Sequence, residues 1–274
     1  RHFRVSQSFG MELIPIAMTP DGPDMDAVEA AVRDPAVKGI WCVPKYSNPQ
    51  GIVYSDAVVD RLAALRPAAP DFALMWDNAY CLHEVYGQFV PFRDMLTLCR
   101  EAGNADMVYE FASTSKITFP GAGVAVMAAS EANLKYLSGL LGAQTISYDK
   151  VNQLRHVRFL QDKAHVLELM QRHAAILRPK FEAVLAALRG IAPLNIASWT
   201  EPKGGYFVSC DAMPGTAKRT LALCAGAGVT MTPAGATYPG GDDPADSNIR
   251  VAPSLPPVEE LEQAMAVFCC CLKL

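Results

Sequence analysis

Short apolar runs alternate with amphipathic stretches through the first half of the chain. ELIPIAM (Glu12 to Met18), KGIWCVP (Lys38 to Pro44), FALMWDN (Phe72 to Asn78), DMVYEFAST (Asp106 to Thr114) and GAGVAVMAAS (Gly121 to Ser130) have the length and composition of strands. Between them, DMDAVEAAVRD (Asp24 to Asp34), SDAVVDRLAAL (Ser55 to Leu65) and FRDMLTLCREAG (Phe92 to Gly103) repeat their apolar positions at helical spacing. Ser55 is placed to cap its helix, and Gly103 to stop the third one. Near-continuous apolar strands alternating with helices predict an α/β fold with a mostly parallel sheet covered on both faces. Such sheets take ligands beyond the carboxyl ends of their strands. Asn48, Asp77 and Lys116 each fall just after an apolar run.

The second half has a different style. Tyr148 to Leu188 is helical and well charged, and reads as one long bridging helix over 148–189. It would join part of a large domain, 1–147, to a smaller α+β domain, 190–274. In that smaller domain NIASWT, GGYFVSCDA, VTMTPA and NIRVAPS read as strands, with helices over Ala217 to Ala225 and from Pro257 onward. YPGGDDPADS is a Gly/Pro/Asp loop expected in solvent.

Charge and cysteine content narrow the function classes. The 274 residues carry a formal net charge of −4 with the signs mixed, which is not the basic stripe of a nucleic-acid surface. The longest apolar stretch, GAGVAVMAA, is far shorter than the roughly 20 residues of a spanning helix. The eight cysteines include no C-x-x-C pair. Cys269, Cys270 and Cys271 are consecutive, so on a helix they point in different directions and cannot all ligate one ion. No metal site is expected, and the cysteines read as small apolar residues of a cytoplasmic protein.

Four short patterns carry candidate chemistry: YSNPQG (Tyr46 to Gly51), WDNAY (Trp76 to Tyr80), STSK (Ser113 to Lys116) and SNIRVAPS (Ser247 to Ser254). Each has a plain alternative: a turn, a helix cap, a surface lysine, a structural ion pair. Their order resembles the class I/II aminotransferases of fold type I, which depend on pyridoxal 5′-phosphate (PLP). That family carries N-P-x-G, D-x-x-Y, S-x-S-K and a late strand arginine in this sequence, and PKGGYF (Pro202 to Phe207) matches its small-domain signature. Longer stretches such as DPAVKGIWCVPKYSNPQGIVYSD, FASTSKITFPGAGVA and HAAILRPKFEAVL are similar to an aspartate-aminotransferase-like subgroup often called type Ic.

The resemblance implies a PLP-binding large domain with a smaller α+β C-terminal domain, and a role for each matched residue. Lys116 would form the Schiff base with the cofactor and then move the substrate proton. Asp77 would hold the protonated pyridine nitrogen. Tyr80 and Asn48 would hydrogen-bond the ring hydroxyl. Ser113, with Ser115 as a second candidate, would contact the phosphate. Arg250 would clamp the substrate carboxylate, with Asn48 beside it. The implied reaction is transamination between an acidic L-amino acid such as aspartate and 2-oxoglutarate, in a homodimer. A β-lyase or decarboxylase on the same fold, or a ligand-sensing aminotransferase-like domain of a transcription regulator, stays open as an alternative. Arg155 and Arg158 are candidates for a side-chain carboxylate, whereas Trp76 and His83 are read as packing residues.

Two departures from the family stand out. No arginine follows Lys116 at the family's phosphate-binding position, where Gly123 stands instead. Nothing before Asn48 resembles the family's glycine- and hydroxyl-rich phosphate loop or its ring-stacking aromatic. The chain is therefore read as a piece of a longer protein that by itself binds PLP weakly or not at all.

Overall fold

The computed structural model describes residues 2–274. A short helix, α1 (His2–Ser8), leads to a two-stranded ribbon of β1 (Met18–Thr19) and β2 (Gly22–Pro23). Then follow α2 (Met25–Ala31), β3 (Gly39–Cys42), α3 (Asp56–Ala63), β4 (Ala73–Asp77), α4 (Met95–Glu101), β5 (Val108–Ser113) and β6 (Ala125–Ala129). The helix starts are capped as their sequences indicate. Asp24 accepts from the Asp26 and Ala27 amides, Ser55 from Val58, and Asp94 from Thr97.

Strands β3, β4 and β5 run parallel, and β6 closes the order β3-β4-β5-β6 antiparallel to β5. The core under this sheet contains Leu62, Leu74, Trp76, Met95 and Val108, all fully buried. Parallel pairing leaves β3, β4 and β5 with their carboxyl ends on one edge, so the loops after Cys42, Asp77 and Ser113 emerge together. Asn48, Tyr80 and Lys116 lie on those loops.

ELIPIAM is not a strand. Residues 11–17 have no regular structure, and only Met18 enters the β1–β2 ribbon. Pro15 has no N–H to give to a ladder, and Ile16 and Met18 bury themselves by packing on the core without one.

Helix α5 (Glu131–Gln144) precedes two further helices, α6 (Lys150–Leu160) and α7 (Lys163–Ile191). The expected single bridging helix is therefore two. Gln161 takes a positive φ of 56°, which ends α6. Asp162 then restarts the chain, its carboxylate accepting from the His165 amide at 2.8 Å. Phe181, Val184, Leu185 and Leu188 of α7 form a buried stripe at helical spacing.

The C-terminal layer contains β7 (Ala197–Trp199), β8 (Val208–Ala212), α8 (Ala217–Gly226), β9 (Asn248–Val251) and α9 (Val258–Cys271). Its sheet is antiparallel in the order β7-β8-β9, and its core joins α7, α8 and α9. VTMTPA forms no strand: Pro233 removes a ladder donor, and the Thr232 hydroxyl faces Arg250 instead. On α9, Cys269 and Cys271 are buried and Cys270 is exposed, as three successive helical residues must diverge. Asp243, in the loop expected to lie in solvent, is buried and accepts from the Ala245, Ser247 and Asn248 amides.

Candidate active site

The loop after β5 is the centre of the site. Ser113 ends the strand and caps a 3-10 turn over Thr114–Lys116, its Oγ accepting from the Ser115 amide at 3.1 Å. The Ser113 and Ser115 hydroxyls lie 2.6 Å apart. Lys116 is exposed rather than buried, and its Nζ lies 4.6 Å from the centre of the Tyr80 ring. The next residue, Ile117, is buried against Leu169 and Met170 of α7 and anchors the turn from below.

Asp77 ends β4, and its carboxylate is half-buried. Burial pushes it above the usual carboxylate range, opposed first by the charge of Lys116, then by a hydrogen bond from Trp41 and by the Ala79 amide. Tyr80 is buried, and burial, followed by the charge of Asp77, pushes its phenol up to about 12. It therefore remains a protonated donor at neutral pH. The same phenol feels the positive charge of Arg250, which places the far end of the site.

Arg250 belongs to β9 and faces the loop after β3. Its Nη1 donates to Asn48 Oδ1 at 3.2 Å, its Nη2 donates to Thr232 Oγ1 at 3.4 Å, and its guanidinium sits 4.6 Å from the Phe207 ring. Its Nε is buried with no partner, and among the described residues no carboxylate pairs with it. A part-buried guanidinium without an acid is costly, and a free donor in that position is suited to an incoming anion. The plain reading of this arginine as a structural ion pair is thus not what the structure shows.

Pairwise relations link the candidate residues: Arg250 to Asn48, Lys116 to the Tyr80 ring, and Asp77 and Arg250 to the Tyr80 phenol by charge, with the Ser113–Ser115 hydroxyl pair on the Lys116 turn. These groups match the polar demands of PLP: an amine for its aldehyde, an acid for its ring nitrogen, donors for its hydroxyl, and hydroxyls for its phosphate. Gly123 packs flat on the turn: a Cβ there would come within 2.9 Å of the Ser115 backbone N and Cα, and collide with its hydroxyl. The space beside Ser115 therefore has no room for a side chain at Gly123, arginine included.

Of the two arginines on α6, Arg155 donates to Asn152 Oδ1 at 2.7 Å and stacks 4.7 Å from the Phe119 ring, three residues after Lys116. Arg158 is exposed. Trp76 is a core residue. His83 is buried too, but at the site: its Nε2 lies 3.2 Å from the Lys116 carbonyl oxygen. Lys45 and Glu84, which the sequence did not single out, form a buried ion pair joining the loops of Asn48 and Tyr80. Their only sequence signal is a charged residue beside each motif.

The family model for aspartate amino-transferase matches residues 1–274. An aspartate aminotransferase of Corynebacterium glutamicum is 47% identical over 275 residues, which cover 100% of this chain and 64% of that protein. The crystal structure of an aspartate transaminase from the same organism superposes with a TM-score of 0.97 at 47% identity, covering 99% of this chain and 64% of that one. An α-aminoadipate aminotransferase from Thermus thermophilus, solved in complex with N-(5′-phosphopyridoxyl)-L-leucine, shares the fold at a TM-score of 0.81 and 23% identity, covering 99% of this chain and 68% of that one. The chain thus spans 64% of the length of its Corynebacterium relative. A match over every residue, on a fold whose strand ends gather these side chains, places the chain in the aspartate amino-transferase family.

Proposed function

We propose that the protein carrying this chain transfers an amino group between an acidic L-amino acid, aspartate in the first instance, and 2-oxoglutarate, using PLP held on Lys116. The observation that supports this most strongly is Arg250, a part-buried guanidinium with an unpartnered Nε and, among the described residues, no carboxylate partner, whose charge acts on the Tyr80 phenol while the exposed Lys116 amine lies over the Tyr80 ring. An α-carboxylate on Arg250 would present its α-amino group toward Lys116, which is the geometry an amino-acid substrate needs.

When bound, PLP supplies an aldehyde that condenses with amines and a ring that accepts the electrons of a carbanion. The chain's residues do the rest in this reading. Lys116 Nζ would hold the aldehyde and would move the proton at the substrate α-carbon, a contribution of about 10²–10⁴-fold. Asp77 keeps a proton on the ring nitrogen. Tyr80 and Asn48 donate to the ring hydroxyl, and Ser113 and Ser115 to the phosphate. Arg155, stacked near the Lys116 turn, is the cation we assign to a substrate's side-chain carboxylate. A homodimer belongs to the same reading, in keeping with Tyr136, Leu140, Ile146 and Tyr148 standing exposed on and after α5.

Arg250→Lys tests the reading. It keeps the charge but loses the two-pronged geometry. The Michaelis constant for every amino-acid donor is expected to rise about 10- to 100-fold, a loss of about 1.4–2.8 kcal/mol, with the affinity for PLP unchanged. Unchanged Michaelis constants would remove Arg250 from the substrate site.

A further inference from the structure

His83 and Tyr206 converge on one atom. The Lys116 carbonyl oxygen accepts from the Tyr206 hydroxyl at 3.0 Å and lies 3.2 Å from His83 Nε2. A carbonyl has two lone pairs, so both bonds can form together. Burial pushes His83 down to about 4, so the ring is neutral near pH 7 with one N–H. A hydrogen on Nε2 meets the carbonyl, and Nδ1, which faces the Tyr80 backbone, lies beyond hydrogen-bond reach of any partner among the described residues. An unpartnered buried nitrogen costs about 1–3 kcal/mol, which an apolar residue would avoid.

The surroundings fix both donors. The Gly205 amide donates to the His83 carbonyl at 2.8 Å, and the Val85 amide to the Lys203 carbonyl at 2.9 Å. This pairing requires a glycine at 204: a Cβ there would collide with the His83 carbonyl oxygen and come within 2.5 Å of Tyr46 Cζ. The Tyr80, His83 and Tyr206 rings then meet edge to face, with centres 5.3–6.0 Å apart. Phe207, next to Tyr206, lies against the Arg250 guanidinium. One dipeptide therefore touches both the backbone of Lys116 and the side chain of Arg250.

We propose that His83 and Tyr206 are positioning residues that clamp the Lys116 carbonyl, so that the lysine amine is held at a fixed reach from Arg250. This rests on the reading of Lys116 as the cofactor-bearing amine. A clamp of this kind acts on the proton-moving step and leaves carboxylate recognition alone.

The test uses the full-length protein with PLP, aspartate and 2-oxoglutarate. Tyr206→Phe removes one hydroxyl, and kcat is expected to fall about 10-fold with the aspartate Michaelis constant within about twofold of the parent. Amide hydrogen exchange over Thr114 to Thr118 is expected to speed up in the same variant, with or without cofactor. His83→Gln keeps an N–H donor and is expected within about threefold of the parent, whereas His83→Leu should fall with Tyr206→Phe. Tyr206→Phe decides the matter whether or not His83→Leu folds. Parent-like kcat and exchange in Tyr206→Phe, with borohydride still fixing the cofactor on Lys116, would overturn the clamp alone. A parent protein in which borohydride fixes no cofactor on Lys116 would overturn the proposed function and the clamp with it.

Discussion

Asp77→Asn is expected to lower turnover about 100-fold or more while cofactor is still fixed to Lys116 by borohydride. Asparagine preserves the size of the side chain and one hydrogen-bond acceptor, but it carries no charge. At the effective dielectric of a partly buried site, a charge pair at about 4 Å is worth about 4 kcal/mol, so losing the carboxylate removes most of what would keep a ring nitrogen protonated. The half-burial of Asp77 at the end of β4 is what makes that charge effective, because bulk water would screen it. Turnover within about threefold of the parent would show that Asp77 does not serve the reaction.

Glu84→Ala is expected to destabilise the fold by about 3–5 kcal/mol in urea unfolding. Lys45 and Glu84 are 3% and 4% exposed, and the Lys45 ammonium also donates to the Cys81 and Val90 carbonyls at 3.0 and 2.7 Å. All three of its donors are thus used, and removing the carboxylate strands a charge in the interior. Lys45→Met with Glu84→Leu should recover part of the loss, because no charge is then stranded, while the Cys81 and Val90 carbonyls and the Val90 amide lose their partners. The pair links the Asn48 loop to the Tyr80 loop, so the single variant should also lose cofactor more readily. A loss below about 1 kcal/mol would mean that water reaches Lys45.

The legible part of the sequence was the part ruled by local chemistry. Apolar periodicity located β3, β4 and β5 and the helices between them; Ser55 caps α3 as expected and Asp24 caps α2 at the expected first residue, while α4 begins at Met95, three residues after the expected start at Phe92. The candidate site residues could be named because the order of their motifs resembles a known family, and the parallel sheet brings the strand ends before Asn48, Asp77 and Lys116 to one edge. What escaped was decided by partners distant in sequence. ELIPIAM and VTMTPA have strand composition, but among the described residues only Met18 of the two stretches pairs with a neighbour. The break at Gln161 depends on a backbone conformation that helical spacing does not reveal. His83 read as a packing residue and Lys45 was not singled out, because their partners, the Lys116 carbonyl and Glu84, lie 33 and 39 residues away. Arg250 was ambiguous until its surroundings showed no acid.

The role of Lys116 is tested most directly by covalent trapping of the cofactor in the full-length protein. PLP is added, borohydride reduces any linkage between its aldehyde and an amine, and peptide mass spectrometry locates the modified residue. One modified lysine, Lys116, is expected, with neither a modified peptide nor transamination between aspartate and 2-oxoglutarate in Lys116→Ala. Cofactor fixed on another lysine, or transamination persisting in Lys116→Ala near the parent rate, would contradict that role.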